Sequence, residues 1–285
     1  MQVALINGDS KTSKTAVSEG IRDFATEKLG LYVVLGDAGA HYRRITRGVQ
    51  NKLGVFTLDC LPPEWEIADA VEVVLSEHVA DDPDTDWGDL DDPLINAWVS
   101  TRIANRPNVK ADASGWYERT AQGALDKGAD LLLINGRQPR LVLANWLGKN
   151  ALVPSIEFWT MCHPRTAAHR MLLARQKKTE VPYTAQDLYA QQKQITMRRN
   201  ADRKHTEFPM TPPAFPVKFV HYPAELELTA QLAVRESWRT NDDPRIRAAV
   251  LPRQIEFDNT HMSKPKMVDA ASALVTAAYV LKPQL

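Results

Sequence analysis

A short apolar run, a glycine-led polar loop and an amphipathic stretch occupy residues 1–29, and this succession constrains the fold more than any other part of the chain. Val3 to Ile6 read as a buried strand. Gly8-Asp9-Ser10-Lys11-Thr12-Ser13-Lys14-Thr15 read as a loop, and Ala16 to Leu29 as a helix with Val17, Ile21, Phe24 and Leu29 near one face. Gly30 supplies a C-cap. A strand that feeds a helix through a tight loop lays that helix on a sheet, which sets the chain towards parallel α/β architecture. Such a loop also turns backbone N–H groups into its hollow, where the helix N-terminus adds partial positive charge, and the combination suits a polyphosphate. Lys14 would neutralise its β- and γ-phosphates, and the Thr15 hydroxyl would hold a magnesium ion. Gly8, Ser10 and Ser13 complete the set. The stretch follows G-x-x-x-x-G-K-[ST], except that Ser13 stands where the pattern has glycine. The alternative is an ordinary turn, with Lys11 and Lys14 as solvated side chains.

The rest of the chain keeps alternating. Leu31 to Leu35 form a second apolar run that ends in Gly36-Asp37-Ala38-Gly39, a place for a ligand loop. Helical spacing from Pro62 to about Val79 puts Ile67, Ala70, Val71, Val74 and His78 on one face. Asp81 to Pro93 pack seven aspartates, two prolines and Trp87 together. EF-hand spacing is missing there, so this reads as an exposed loop in preference to a metal site. Asp92-Pro93 opens a helix carrying Ile95, Trp98, Val99 and Arg102. A helix from about Trp116 to Lys127 ends at Gly128, and Leu131 to Ile134 form a central strand followed by Asn135-Gly136-Arg137-Gln138, a second ligand loop.

Ile156 to Thr160 read as a further strand, and Pro164 begins a helix with Ala168, Met171, Leu172 and Arg175 on one face. Thr184 and Asp187 make a capping box for a polar helix that runs to about Asn200. Arg198, Arg199, Arg203, Lys204 and His205 crowd its end around Asp202, ahead of a prolyl segment from Pro209 to Pro216. This charge run is either a solvated helix end or a flap whose arginines close over phosphates. A final helix starts at Ser263 and carries Met267, Val268, Ala271, Leu274, Val275 and Ala278.

Composition narrows the function classes. The 285 residues are 44% hydrophobic and 25% charged, which fits a globular chain and neither a disordered nor a membrane class. Thirty-five basic residues balance thirty-five acidic ones. A nucleic-acid partner is therefore possible through a local patch but not favoured. Cys60 and Cys162 lack metal-ligand spacing and suggest a reducing compartment. The expectation is a cytoplasmic protein without a leader or a membrane span.

In order, these landmarks resemble the bacterial cytidylate (CMP) kinases, members of the P-loop nucleoside monophosphate kinase group. That family's D-[ST]-G-A-x-Y-R matches Asp37-Ala38-Gly39-Ala40-His41-Tyr42-Arg43 at five of six fixed positions. Its I-R…V…A-S segment has counterparts in Arg106, Val109, Ala113 and Ser114, and its D-G-R-D loop in Asn135-Gly136-Arg137-Gln138. Its lid, R-D-x-x-D-x-x-R before Pro-Leu, aligns with Arg198, Asp202 and Pro209-Met210, and its D-[ST]-T-x-x-S with Asp258 to Ser263.

The resemblance implies a three-layer P-loop kinase-like fold with a parallel sheet, an acceptor-binding subdomain over about 44–115, a helical lid over about 180–210 and an insertion over about 219–254. It implies ATP and Mg2+ as cofactors and a small-molecule nucleotide as acceptor. ATP would lie on Gly8, Ser10, Ser13, Lys14 and Thr15, with Lys14, Arg137 and Arg198 catalytic. The acceptor would lie on Asp37, Tyr42, Arg43, Arg106, Ser114, Arg137 and Asp202, and the metal on Thr15 and Asp37. Ala38, Gln138 and His205 depart from the family at acceptor and lid positions, which suggests an acceptor other than CMP, such as a modified pyrimidine nucleotide. Two alternatives stand beside it. One is a kinase for a hydroxymethylated base in DNA. The other is a non-catalytic P-loop-like protein that binds nucleotide or a protein partner.

Overall fold

A computed structural model describes residues 1–9, 11–57, 62–81, 85–90, 92–152, 154–203 and 254–280. Ser10, Cys60, Lys204, His205, the 209–216 prolyl segment and the 219–253 part of the expected insertion lie outside the described residues.

Five strands form one sheet: β1 (Gln2–Gly8), β2 (Val33–Asp37), β3 (Leu131–Asn135), β4 (Ile156–Met161) and β5 (Gln254–Asp258). Their order is β2-β3-β1-β4-β5. The β1–β3, β1–β4 and β4–β5 pairs are all parallel, as the alternating pattern predicts. On one face Ala4 and Ile6 of β1, Leu131 and Leu133 of β3, and Ile156 and Phe158 of β4 pack with α1 (Lys14–Leu29) and the last helix. Residues of the opposite parity, Val3, Leu5, Leu132, Ile134 and Trp159, are no more than 1% exposed. Both faces are thus covered, which explains why these strands read as unbroken apolar runs.

The strand order fixes where a ligand can go. From β1 the chain crosses past β3 to β2, whereas from β4 it crosses the other way to β5. Neighbouring strands whose connections leave in opposite directions open a crevice at their carboxyl ends. Here that crevice lies beyond Gly8 and Thr160, which are register partners.

The chain divides into two compact units. The first, residues 1–35 and 128–285, holds most of the sheet. Among the described residues its helices after β3 are α6 (Pro139–Val142), α7 (Ala144–Lys149), α8 (Pro164–Thr179), α9 (Ala185–Arg203) and α10 (Lys264–Val280). The capping box opens α9 as expected: Asp187 accepts from the Thr184 N–H and hydroxyl at 2.8 Å each, and Thr184 accepts from the Asp187 N–H at 3.2 Å. The helix continues to Arg203, one turn beyond the expected end.

The second unit, residues 36–127, is helical: α2 (Ala38–Leu53), α3 (Glu64–Ser76), α4 (Pro93–Trp98) and α5 (Pro107–Asp126). Ile45, Val49, Val71, Val74, Trp98, Ile103 and Val109 are among its buried core.

Three expectations are corrected here. The loop expected at residues 36–39 is absent, because Asp37 accepts from the Ala40 N–H at 3.1 Å and starts α2 directly. The helix expected from Trp116 begins at Pro107, whose fixed φ suits the first helical position. His78 does not line the α3 face: the helix ends at Ser76, and His78 is exposed with φ 50°.

Candidate functional site

β1 ends in Asn7 and Gly8, and the loop from there to α1 is shaped by contacts from three other segments. Gly8 has φ 135°, a conformation side chains rarely adopt, and a Cβ there would lie 2.2 Å from the Thr160 carbonyl oxygen. Only glycine fits so close a strand-to-strand approach. Thr12 is fully buried. Its Oγ1 lies 2.9 Å from the Asp9 carbonyl and 2.7 Å from Thr160 Oγ1, while its own carbonyl accepts from Asn259 Nδ2 at 2.8 Å. Ser13 caps α1 with φ 63°, ψ 29° and no side-chain capping bond. It thus takes at a steric cost the left-handed conformation that glycine adopts freely.

Lys14 folds back along the loop, and its Nζ donates to the Gly8 carbonyl at 3.0 Å and the Asp9 carbonyl at 2.7 Å. The next residue, Thr15, is half-buried, and Asn135 Nδ2 donates to its hydroxyl at 3.4 Å. Asn135 ends β3, so the segment 135–138 lies beside the loop that follows β1.

Asn7 ties the two loops together. Its Oδ1 accepts from the Gly8 N–H at 2.8 Å and the Gln138 N–H at 3.2 Å, and its Nδ2 donates to Gln138 Oε1 at 3.4 Å. Between them Arg137 projects to Asp202 of α9, with Nη1 2.9 Å from Oδ1.

A cavity of about 290 Å3 opens beside the loop, with Asp9, Cys162, His163, Arg199, Arg203 and Thr260 among its lining residues. Asp9 Oδ2 lies 3.9 Å from Arg199 Nη1 and 3.6 Å from Arg203 Nη2. Arg199 is buried and donates to the Cys162 carbonyl at 2.6 Å. Burial lowers its ionisation from the ordinary arginine value, and nearby Asp9 opposes that effect. Burial likewise pushes the Cys162 thiol up, which leaves it a poor nucleophile.

Arg170 braces the turn after β5: its guanidinium donates to Asn259 Oδ1 at 2.8 Å and to the Asn259 and Met262 carbonyls at 2.6 Å each. Asp258 closes that turn on Thr260, accepting from its N–H at 2.9 Å and its hydroxyl at 2.5 Å.

Gly8, Ser13, Lys14, Thr15, Arg137 and Asp202 thus fall in one unit around one crevice. Arg198 is half-buried on α9, and it is its neighbours Arg199 and Arg203 that line the cavity. Asp37, Tyr42, Arg43, Arg106 and Ser114 belong to the helical unit. There the Asp37 carboxylate and Arg43 guanidinium both lie over Gly39, at 3.1 and 3.3 Å from where its Cβ would be. Tyr42 packs against the core, Arg106 pairs with Glu64, and Ser114 donates to the Lys110 carbonyl at 3.0 Å. In the same unit fully buried His41 stacks on Trp116, and its Nε2 lies 2.8 Å from Asp112 Oδ2.

Sequence reasoning missed Asn7, Thr12, Thr160 and Asn259. The available signal was the position of two of them: Asn7 and Thr160 are polar residues at the carboxyl ends of apolar strands, where ligand sites gather.

The space that a Gly8 side chain would need is filled by Thr160, so this glycine serves the packing of β1 on β4 at the start of the loop. Among the described residues no group of three His, Cys, Asp or Glu side chains is placed to hold a metal ion. Thr15 is a single oxygen donor, which is compatible with magnesium because that ion keeps several waters and takes ligands from phosphates. No helix among the described residues is long and apolar enough to cross a membrane. The chain matches no known protein-family model and no curated protein.

Proposed function

We propose that this protein is an ATP-dependent kinase acting on a nucleoside monophosphate, with a pyrimidine nucleotide other than CMP as the acceptor. The observation that carries the proposal is the loop itself. Gly8 packs tightly against Thr160, Ser13 is held left-handed, and Lys14 lies along the loop carbonyls at the mouth of the sheet crevice. Gly8, Ser10, Ser13, Lys14 and Thr15 hold the triphosphate, and Thr15 takes one magnesium position. When bound, the metal offsets charge on the phosphates.

Everything else asked of the chain is positioning and charge. Lys14 is carried to the phosphates by the first turn of α1, and Arg137 is delivered by the loop that Asn7 anchors. Arg198 and Asp202 belong to the α9 lid, while Asp37 and Arg43 take the acceptor phosphate. Aligned cations in a water-poor site supply most of the rate in phosphoryl transfer, which needs little covalent help from protein.

A second reading has its own observation. The groups nearest the loop at the ends of β1 and β3 are the carboxamides Asn7, Asn135 and Gln138, which cannot act as bases. They favour a protein that binds nucleotide without turning it over.

The test is ATP consumption with magnesium across nucleoside monophosphates that include dCMP, dUMP, dTMP and hydroxymethylated forms, alongside nucleotide-dependent thermal stabilisation. Turnover with one acceptor supports the kinase. Stabilisation without turnover moves the conclusion to the binding protein. At ligand about a hundredfold above its Kd the stabilisation is about 2.7 kcal/mol, and Lys14→Ala should abolish it. No stabilisation of the parent protein would sink both readings.

A further inference from the structure

Asp9 is an unusual residue to find in a loop that receives phosphate. It follows Gly8 directly, is 7% exposed, and points its carboxylate into the cavity towards Arg199 and Arg203 of α9. Its carbonyl meanwhile receives the Lys14 ammonium. Three cations thus converge on residues 8 and 9, the charge a polyphosphate needs, and one internal anion already engages two of them. The resemblance to nucleotide kinases gives Asp9 no role, and the family's lid has an acidic residue where Arg199 stands.

A fixed carboxylate beside a phosphate chain repels it in proportion to the charge that the chain brings. A divalent cation halves the charge of a nucleoside triphosphate, so the repulsion falls far more for the metal complex than for the free anion. Burial strengthens that difference, because little solvent lies between the charges to screen them.

We propose that Asp9 is a specificity-determining residue: it makes this site select metal-complexed polyphosphate over the free anion, and it orders Arg199 and Arg203 by pairing with them until the ligand arrives. The proposal rests on the nucleotide reading above. The two arginines exchange one carboxylate for phosphate oxygens, and α9 stays docked in both states because the cations always have a partner. Asp258 and His163 also face the cavity. Both remain unchanged in the comparison that tests Asp9.

Titration calorimetry of the full chain with ATP, once with EDTA and once with magnesium, tests this. Asp9→Asn keeps the shape and removes the charge. It should tighten metal-free ATP by about tenfold and the magnesium complex by clearly less, so that the metal preference narrows. Arg203→Gln, on a side chain that is 51% exposed and so safe for folding, should widen the preference by leaving Asp9 less compensated. An unchanged preference in the variants overturns the proposal, as does equal weakening of both forms by Asp9→Asn. If Asp9→Asn does not fold, Asp9→Ser, a smaller neutral side chain, takes its place in the same comparison. If no protein, parent included, binds ATP in either form, the nucleotide reading falls and the proposal with it. Binding with unaltered metal preference overturns the proposal only.

Discussion

The hydroxyls of Thr12 and Thr160 lie 2.7 Å apart, although 148 residues separate them in the chain. Thr12 also faces the Asp9 carbonyl and Thr160 the Asn7 carbonyl, each at 2.9 Å, so two hydroxyl protons serve three contacts. The loop is held by this shared arrangement and not by its own sequence alone. Thr160→Val leaves buried oxygens without a donor and should cost about 1–3 kcal/mol in urea unfolding, and Thr160→Ser should recover most of it. A Val variant as stable as the parent would refute the role.

Gly8 and Ser13 both have positive φ, yet opposite outcomes are expected when each is changed. Gly8→Ala adds a Cβ 2.2 Å from the Thr160 carbonyl in a conformation alanine avoids. It should lose about 3 kcal/mol or more. Ser13→Gly relieves a left-handed serine at φ 63°, and after the entropy of the added glycine a gain of up to about 1 kcal/mol remains. Equilibrium unfolding of both variants measures this. Destabilisation by Ser13→Gly would show that the serine hydroxyl matters more than its backbone strain.

Acid should weaken the helical unit through Asp112. Burial alone would raise its carboxyl, but the hydrogen bond and charge of His41, together with those of Arg119, outweigh it and hold the group below the usual carboxylate range. Asp81 shares Arg119 and faces His41 Nδ1 at 3.8 Å. A carboxyl depressed in the folded state stabilises fully above its unfolded pKa of about 3.9, and that contribution is lost as pH falls through the lower folded value. Stability against urea should therefore fall between pH 5 and more acidic conditions, and less so in Asp112→Asn. An identical pH profile for the variant would exclude Asp112 as the source.

Much of the sheet could be read from the chain because its strands are buried on both faces and so appear as plain apolar runs. β5 was missed although Gln254-Ile255-Glu256-Phe257-Asp258 alternates polar and apolar residues with the period of a strand, because five residues after a proline are a short signal. α2 was also missed. Its buried side includes His41, Thr46 and Gln50, so its core face looks half polar, although the Asp37 cap and the Ala38, Ile45 and Val49 spacing were available.

At the candidate site, Gly8, Lys14 and Thr15 stood out because the pattern they were compared with has a local spacing. What holds that loop has none. Asn7, Thr12, Thr160 and Asn259 meet only through strand order, and no pattern within a short window reports a contact made across the sheet. Asp9 was legible as a residue but not as a partner of Arg199 and Arg203, since a loop and a distant helix end carry no mark of their pairing.

Asn259 donates to the Thr12 carbonyl across 247 residues of sequence. A loop near the start of the chain is therefore finished by a side chain near its other end. During synthesis, which runs from the N-terminus, the loop residues leave the ribosome well before β5 and lack this bond until β5 has emerged and docked. The nascent chain thus carries the β1–α1 loop long before it can make the bond that fixes it.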